Sequence, residues 1–168
     1  MVNRIRSIVN RPPASRARPG DCSHLKLRRL MRLVSRHYDG HLAACGLKTT
    51  QYSLLMTVAA RGPLQQSELA RILGLDASTL TRNLRPLADA GMLQVSRGED
   101  GRSNQVRITR AGLQLRTLAR RRWQQAQDAF DRAVGTERVA ALHELIDTCQ
   151  RLLVQDADEA APGARRTA

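Results

Sequence analysis

Aromatic side chains are nearly missing from this sequence: one tryptophan, two tyrosines and one phenylalanine in 168 residues. Proteins that hold single strands without sequence preference stack bases on aromatic rings, so that mode of binding is excluded as the main activity. Cysteine is also sparse. Cys22, Cys45 and Cys149 are odd in number and far apart, which leaves neither a disulfide framework nor a Cys-x-x-Cys metal knuckle, and predicts a reduced, cytoplasmic setting. No apolar run approaches the roughly 20 residues of a membrane helix, so no membrane partner is expected. Gly-rich phosphate loops, nucleophile elbows and paired-carboxylate patterns are missing too, and with them any motif for catalysis, a cofactor or a metal. Acids are the last shortage: 15 Asp and Glu against 28 Lys and Arg, a net charge of +13. Such a chain suits a polyanion, and without stacking platforms the balance tilts to duplex DNA.

What is present is concentrated between Gln66 and Arg110. Leu69, Ala70, Ile72 and Leu73 form the apolar set of a short helix expected over Ser67 to Leu73. Gly74 follows, a residue that turns the chain at a helix end without a Cβ penalty. Asp76 then serves as N-cap of a second helix with Leu80, Leu84, Leu87 and Ala88 on one face. Helix, tight turn and helix make a helix-turn-helix unit. The outer face of the second helix carries Ser78, Thr79, Thr81, Arg82, Asn83 and Arg85, with no acid between Asp76 and Asp89. An ordinary solvated face would mix Glu with Lys, whereas these types reach base edges and phosphates. Pro86 predicts a local bend.

Gly91 closes that helix, and Met92 to Ser96 and Gln105 to Thr109 alternate as two short strands around a turn-rich tip, Arg97 to Ser103. A hairpin directly after a helix-turn-helix is a wing. Asp76-Ala77-Ser78-Thr79-Leu80-Thr81-Arg82, then Ala90-Gly91-Met92-Leu93, then Asp100-Gly101-Arg102-Ser103 running into Ile108-Thr109-Arg110-Ala111-Gly112 resemble the MarR family of winged-helix transcriptional regulators. The resemblance covers about Leu25 to Leu153. It implies a mainly α fold with a small β-hairpin wing: a winged helix-turn-helix over 46–110, and terminal helices over 21–45 and 111–155 that form a dimerisation domain. Residues 1–20, with five arginines, no acid before Asp21 and helix-spoiling prolines, are expected to be a disordered basic arm rather than a transit peptide. The segment 156–168 is expected to be a flexible tail.

The apolar spacing in the terminal helices supports the same organisation. Leu27, Leu30, Met31, Val34, Tyr38 and Leu42 recur at three and four over Ser23 to Ala44. A second helix, capped by Thr49 or Thr50, carries Tyr52, Leu54, Leu55, Met56, Val58 and Ala59 and is apolar enough to be buried. Thr109 can cap a long helix with Leu115, Ala119, Trp123, Ala126 and Phe130 as its seam. A last helix from Thr136 bears Val139, Leu142, Leu145, Ile146, Cys149 and Leu152. These stripes outrun the core available to one copy, so a homodimer is expected, and a two-fold protein reads a palindromic operator.

Candidate roles follow. Arg82 can pair bidentately with guanine, Ser78 and Thr79 can reach bases or phosphate, and Thr81 and Arg85 suit phosphate. Arg97, Arg102 and Ser103 are the wing's candidates, with Arg102 expected in the minor groove. The family pattern implies that Asp100 holds Arg102 or Arg97 in an extended pose. His37, Tyr38, His41 and Tyr52 are candidates for a cleft where family members bind small anionic aromatics. His37 and His41 alone do not make a zinc site. Arg120-Arg121-Arg122 reads as helix surface. Cys22 beside His24 and Lys26, with Cys149 on the last helix, is a candidate redox pair. The expected function is a sequence-specific duplex DNA-binding regulator, a repressor released by a small ligand or by oxidation. The alternative is a nonspecific architectural DNA-binding protein.

Overall fold

The computed structural model describes residues 22–98 and 103–160. Two compact units divide the chain, Met1–His37 and Tyr38–Ala168. In the first, the described residues are the opening turns of helix α1, Ser23–Leu42. Most of their apolar side chains are open to solvent: Leu27, Met31 and Leu33 are each more than half exposed.

The second unit begins with the last turn of α1, where Tyr38 and Leu42 become buried. The helix stops at Leu42, and a 3-10 turn, Ala43–Cys45, leads to Gly46 in the left-handed region at φ 67°. Helix α2 follows over Thr49–Arg61. Its cap differs from the sequence expectation. Lys48 takes the N-cap position, and neither Thr49 nor Thr50 caps the helix. Instead Asp39 Oδ1 accepts from both the Thr49 amide and hydroxyl at 2.7 Å, and Gln51 Oε1 accepts from the Lys48 amide at 2.9 Å. The Thr49 amide is thus satisfied from α1 and the Lys48 amide from within α2.

Strand β1, Leu64–Gln65, leads into helix α3, Gln66–Leu73, and Gly74 at φ 61° turns the chain. Helix α4 is Ala77–Asp89, continuous through Pro86. Strands β2, Leu93–Arg97, and β3, Asn104–Ile108, complete a three-stranded antiparallel sheet of order β1-β3-β2. Val106 of β3 sits opposite both Leu64 and Val95. The hairpin was expected and β1 was not: two residues carry no readable alternation. Helix α5 spans Arg110–Val134, and α6 spans Thr136–Ala160 after Gly135. The helical backbone of α6 therefore passes Asp156, where a flexible tail was expected to begin.

Leu54, Leu55 and Val58 of α2, Leu69 of α3, Leu80 of α4 and Val106 of β3 are fully enclosed at the centre of this unit. Each such side chain is worth roughly 1.5–3 kcal/mol against leaving it in water. The face of α4 opposite Leu80, Leu84 and Leu87 is exposed.

The junction between wing and α5 is tightly specified. Thr109 Oγ1 accepts from the Gly112 amide at 3.0 Å and donates to the Gly91 carbonyl at 2.7 Å. One side chain caps α5 and ties its start to the loop that ends α4.

Candidate nucleic-acid interface

Helix α4 begins at Asp76, whose extended backbone (φ −72°, ψ 159°) is that of an N-cap. Its carboxylate does more than cap. Oδ1 accepts from the Thr79 amide at 2.8 Å and from the Ser78 hydroxyl at 2.6 Å, while Oδ2 accepts from the Thr79 hydroxyl at 2.7 Å. These bonds, the Ser78 hydroxyl first, hold the Asp76 carboxyl well below the usual carboxylate range. Thr81 Oγ1 donates to the Ala77 carbonyl at 2.8 Å.

Ser78, Thr81, Arg82, Arg85, Pro86 and Asp89 line an open groove of about 650 Å³ along the outer face of α4. The structure therefore brings together four of the five helix residues named from sequence. Thr79, the fifth, is half-buried beside Asp76. Arg85 Nε lies 3.7 Å from Asp89 Oδ2, with the two side chains 82% and 71% exposed, so this pair is weak. Asn83 departs from the outward set: it is half-buried, and its Oδ1 accepts from Thr50 Oγ1 of α2 at 3.3 Å.

On the wing, Arg97 is exposed at the end of β2 opposite Asn104, and Gly98 N donates to Ser103 O at 2.7 Å. Asp100 and Arg102 lie outside the described residues. Arg107, exposed on β3 opposite Gln94, adds a cation that the sequence reading passed over.

The residues of the expected cleft fall in both units. His37 is half-buried at the end of the first unit. In the second unit, Tyr38 Oη donates to Gln127 Oε1 at 2.6 Å, and its ring centroid lies 6.2 Å from that of Phe130. Burial, then the Asp131 charge, raises the Tyr38 phenol above its ordinary value. Tyr52 stacks on Trp123 at 6.2 Å and 12°. Burial raises its phenol as well, opposed by the charges of Arg120 and Arg116. His41 is half-buried. Arg116, Thr117, Arg120, Arg121 and Gln124 line a groove of about 420 Å³ on α5. Cys22 and Cys149 are exposed and Cys45 is half-buried. Among the described residues no His, Cys, Asp and Glu cluster fit for a metal occurs, and no helix is long and apolar enough to cross a membrane.

Helix-turn-helix, polar groove and wing recur in known proteins. Residues 47–103 match the MarR family. The chain carries a MarR-family domain. Its curated relatives include the uncharacterized HTH-type transcriptional regulator YwoH of Bacillus subtilis, 33% identical over 79 residues. That match takes in 47% of this chain and 58% of the relative, so the chain spans little more than half of that protein's length. The transcriptional regulator MosR of M. tuberculosis, solved in complex with DNA, is 29% identical with a TM-score of 0.63, covering 76% of this chain and 98% of that one. The transcriptional repressor CouR, bound to a 23-mer DNA duplex, shares the fold at 23% identity and a TM-score of 0.70, covering 81% and 99%. The MarR family and these relatives are transcriptional regulators, not enzymes.

Proposed function

We propose that this MarR-family protein is a transcriptional regulator that binds duplex DNA sequence-specifically, acting in the cytoplasm as a homodimer on a palindromic operator. The observation that carries the reading is the outer face of α4. Arg82 and Arg85 flank Ser78 and Thr81 along one groove, with Arg97 on the adjoining wing. Arginines reach guanine edges and phosphates from such a helix, and the wing reaches the neighbouring groove. MosR and CouR, of the same fold, are DNA-bound in their solved structures.

Exposed apolar side chains support the dimer. On α6, Leu145, Ile146, Leu152 and Leu153 face solvent, Leu153 at 70% exposure, and α1 exposes Leu27, Met31 and Leu33. Burying such stripes in a second copy gains roughly 25 cal/mol per Å² of apolar surface. The dimer would act as a repressor by occupying a promoter. Release would follow from a small anionic aromatic ligand near Tyr38, His41 and Tyr52, or from oxidation of a cysteine. Either signal must favour a non-binding arrangement of the two lobes. The positive charges of Arg116 and Arg120 at Tyr52 favour an anionic effector.

The net charge of +13 also favours a second reading, a nonspecific architectural DNA-binding protein. Footprinting on the DNA flanking the protein's own gene separates the two. A regulator protects a discrete palindromic segment. An architectural protein gives protection that spreads with concentration and has no preferred site.

A further inference from the structure

The hydroxyl protons at the start of α4 are all committed. A serine or threonine hydroxyl has one proton and two lone pairs, and an ionised carboxylate has no proton to give. The 2.6 Å and 2.7 Å contacts of Ser78 and Thr79 with Asp76 therefore run in one direction, from hydroxyl to carboxylate. The hydrogen bonds to Asp76 lower its pKa and so keep the carboxylate charged throughout the neutral range. Thr81 likewise gives its proton to the Ala77 carbonyl. Phosphate oxygens only accept, so none of these hydroxyls can donate to DNA backbone while its bond lasts.

We propose that Asp76 is a specificity-positioning residue: it takes the protons of Ser78 and Thr79, so that both hydroxyls meet DNA as acceptors and select bases carrying a major-groove amino group, cytosine N4 or adenine N6. This rests on the DNA-reading function proposed above and assigns its base chemistry. The outer face of α4 then divides by sign. Residues 76–81 offer acceptors, with the Asp76 oxygens themselves among them, and Arg82 and Arg85 offer only donors. Guanine O6 and N7, thymine O4 and the phosphates fall to the arginines.

Asp76→Asn alters one element of this arrangement. Asparagine is as good an N-cap as aspartate, so its oxygen keeps the Thr79 amide and the Ser78 hydroxyl. Its amide nitrogen replaces the oxygen that faces Thr79 Oγ1 and donates where the carboxylate accepted. The Thr79 proton is then released outward, and Thr79 turns from acceptor to donor. Ser78 is unchanged.

The test is enrichment of bound sequences from a duplex library with a randomised core, using the full chain and the Asp76→Asn variant. Binding of the wild-type protein to its enriched duplex is then measured with each adenine replaced by purine, and each cytosine by 2-pyrimidinone; because each replacement also removes one Watson–Crick hydrogen bond, its effect is compared with the same replacement outside the enriched core. The account predicts that removal at the contacted position weakens wild-type binding about five- to tenfold, the scale of one lost hydrogen bond. In Asp76→Asn, the preference at one base pair of each half-site moves from A or C toward G or T, while the others stay. The analogue arm needs no variant and holds even if Asp76→Asn folds poorly. A wild-type affinity indifferent to every amino group overturns the inference. So does an unchanged base profile in a folded Asp76→Asn, or a loss uniform over all sequences, which is what a cap alone would give. Failure of the wild-type protein to enrich any sequence instead removes the DNA-reading function itself.

Discussion

A Cβ added to Gly112 would fall on the backbone carbonyl oxygen of Met92 and lie 2.8 Å from Ile108 Cγ1. The first turn of α5 therefore packs against the end of the α4–β2 loop more closely than any side chain allows, with the Thr109 hydroxyl bonded across the same gap. Neither neighbour can yield cheaply, since one is backbone and the other belongs to the sheet. Gly112→Ala should destabilise the protein by at least about 1–3 kcal/mol, the usual cost of overpacking. Denaturant unfolding checks this, and a midpoint equal to wild type would contradict the packing.

The cap at Asp76 gives a pH signature. Hydrogen bonds from Ser78, and then from the Thr79 amide and hydroxyl, depress its carboxyl below the ordinary value of 3.8. A group whose folded-state pKa is depressed contributes stability that is complete above its unfolded pKa and fades as the pH falls through the folded one. Wild type and Asp76→Asn should thus differ by a constant amount from about pH 7 to pH 5. Below about pH 4 the wild type should lose ground against the variant, whose cap does not titrate. Parallel melting temperatures down to about pH 3 would rule out this role for the carboxylate.

Much of this was legible in advance because the signals are local. Gly74 after an apolar helix, Asp76 before one, and Thr109 with Gly112 each fix a backbone geometry that nearby residues declare. The burial of Leu80, Leu84 and Leu87 followed from their spacing. What stayed hidden depends on partners distant in sequence or on too few residues. The α2 cap comes from Asp39, ten positions before Thr49. Strand β1 exists only because β3 passes beside Leu64. Asn83 reads as an outward polar residue until Thr50 is placed next to it. The direction of the Ser78 and Thr79 protons requires rotamers, which no spacing supplies.

Arg82 and Arg85 should differ in what they lose. Arg82→Ala is expected to relax preference at particular base pairs by about 1–3 kcal/mol. Arg85, released from its exposed partner Asp89, is expected to meet phosphate, so Arg85→Ala should weaken all sequences alike and reduce the salt slope by about one unit. Titration of both variants against a set of single-base operator changes reads the contrast. The same loss for both on every duplex would reject the placement of α4 in the major groove.

The wing carries a separate expectation. Arg102→Ala should cost about 1–3 kcal/mol of operator affinity with the fold and the oligomeric state intact. Affinity equal to wild type at matched salt would deny the wing a role in binding.

The central claim is selective reading of duplex DNA, and the most direct measurement is a ratio. The full chain is titrated, at one fixed salt concentration, with its enriched duplex and with a scrambled duplex of the same composition. A sequence-specific regulator should prefer the first by about 10³-fold or more. Affinities within a few-fold of each other would contradict the account and leave a cation-rich protein that holds DNA by charge alone.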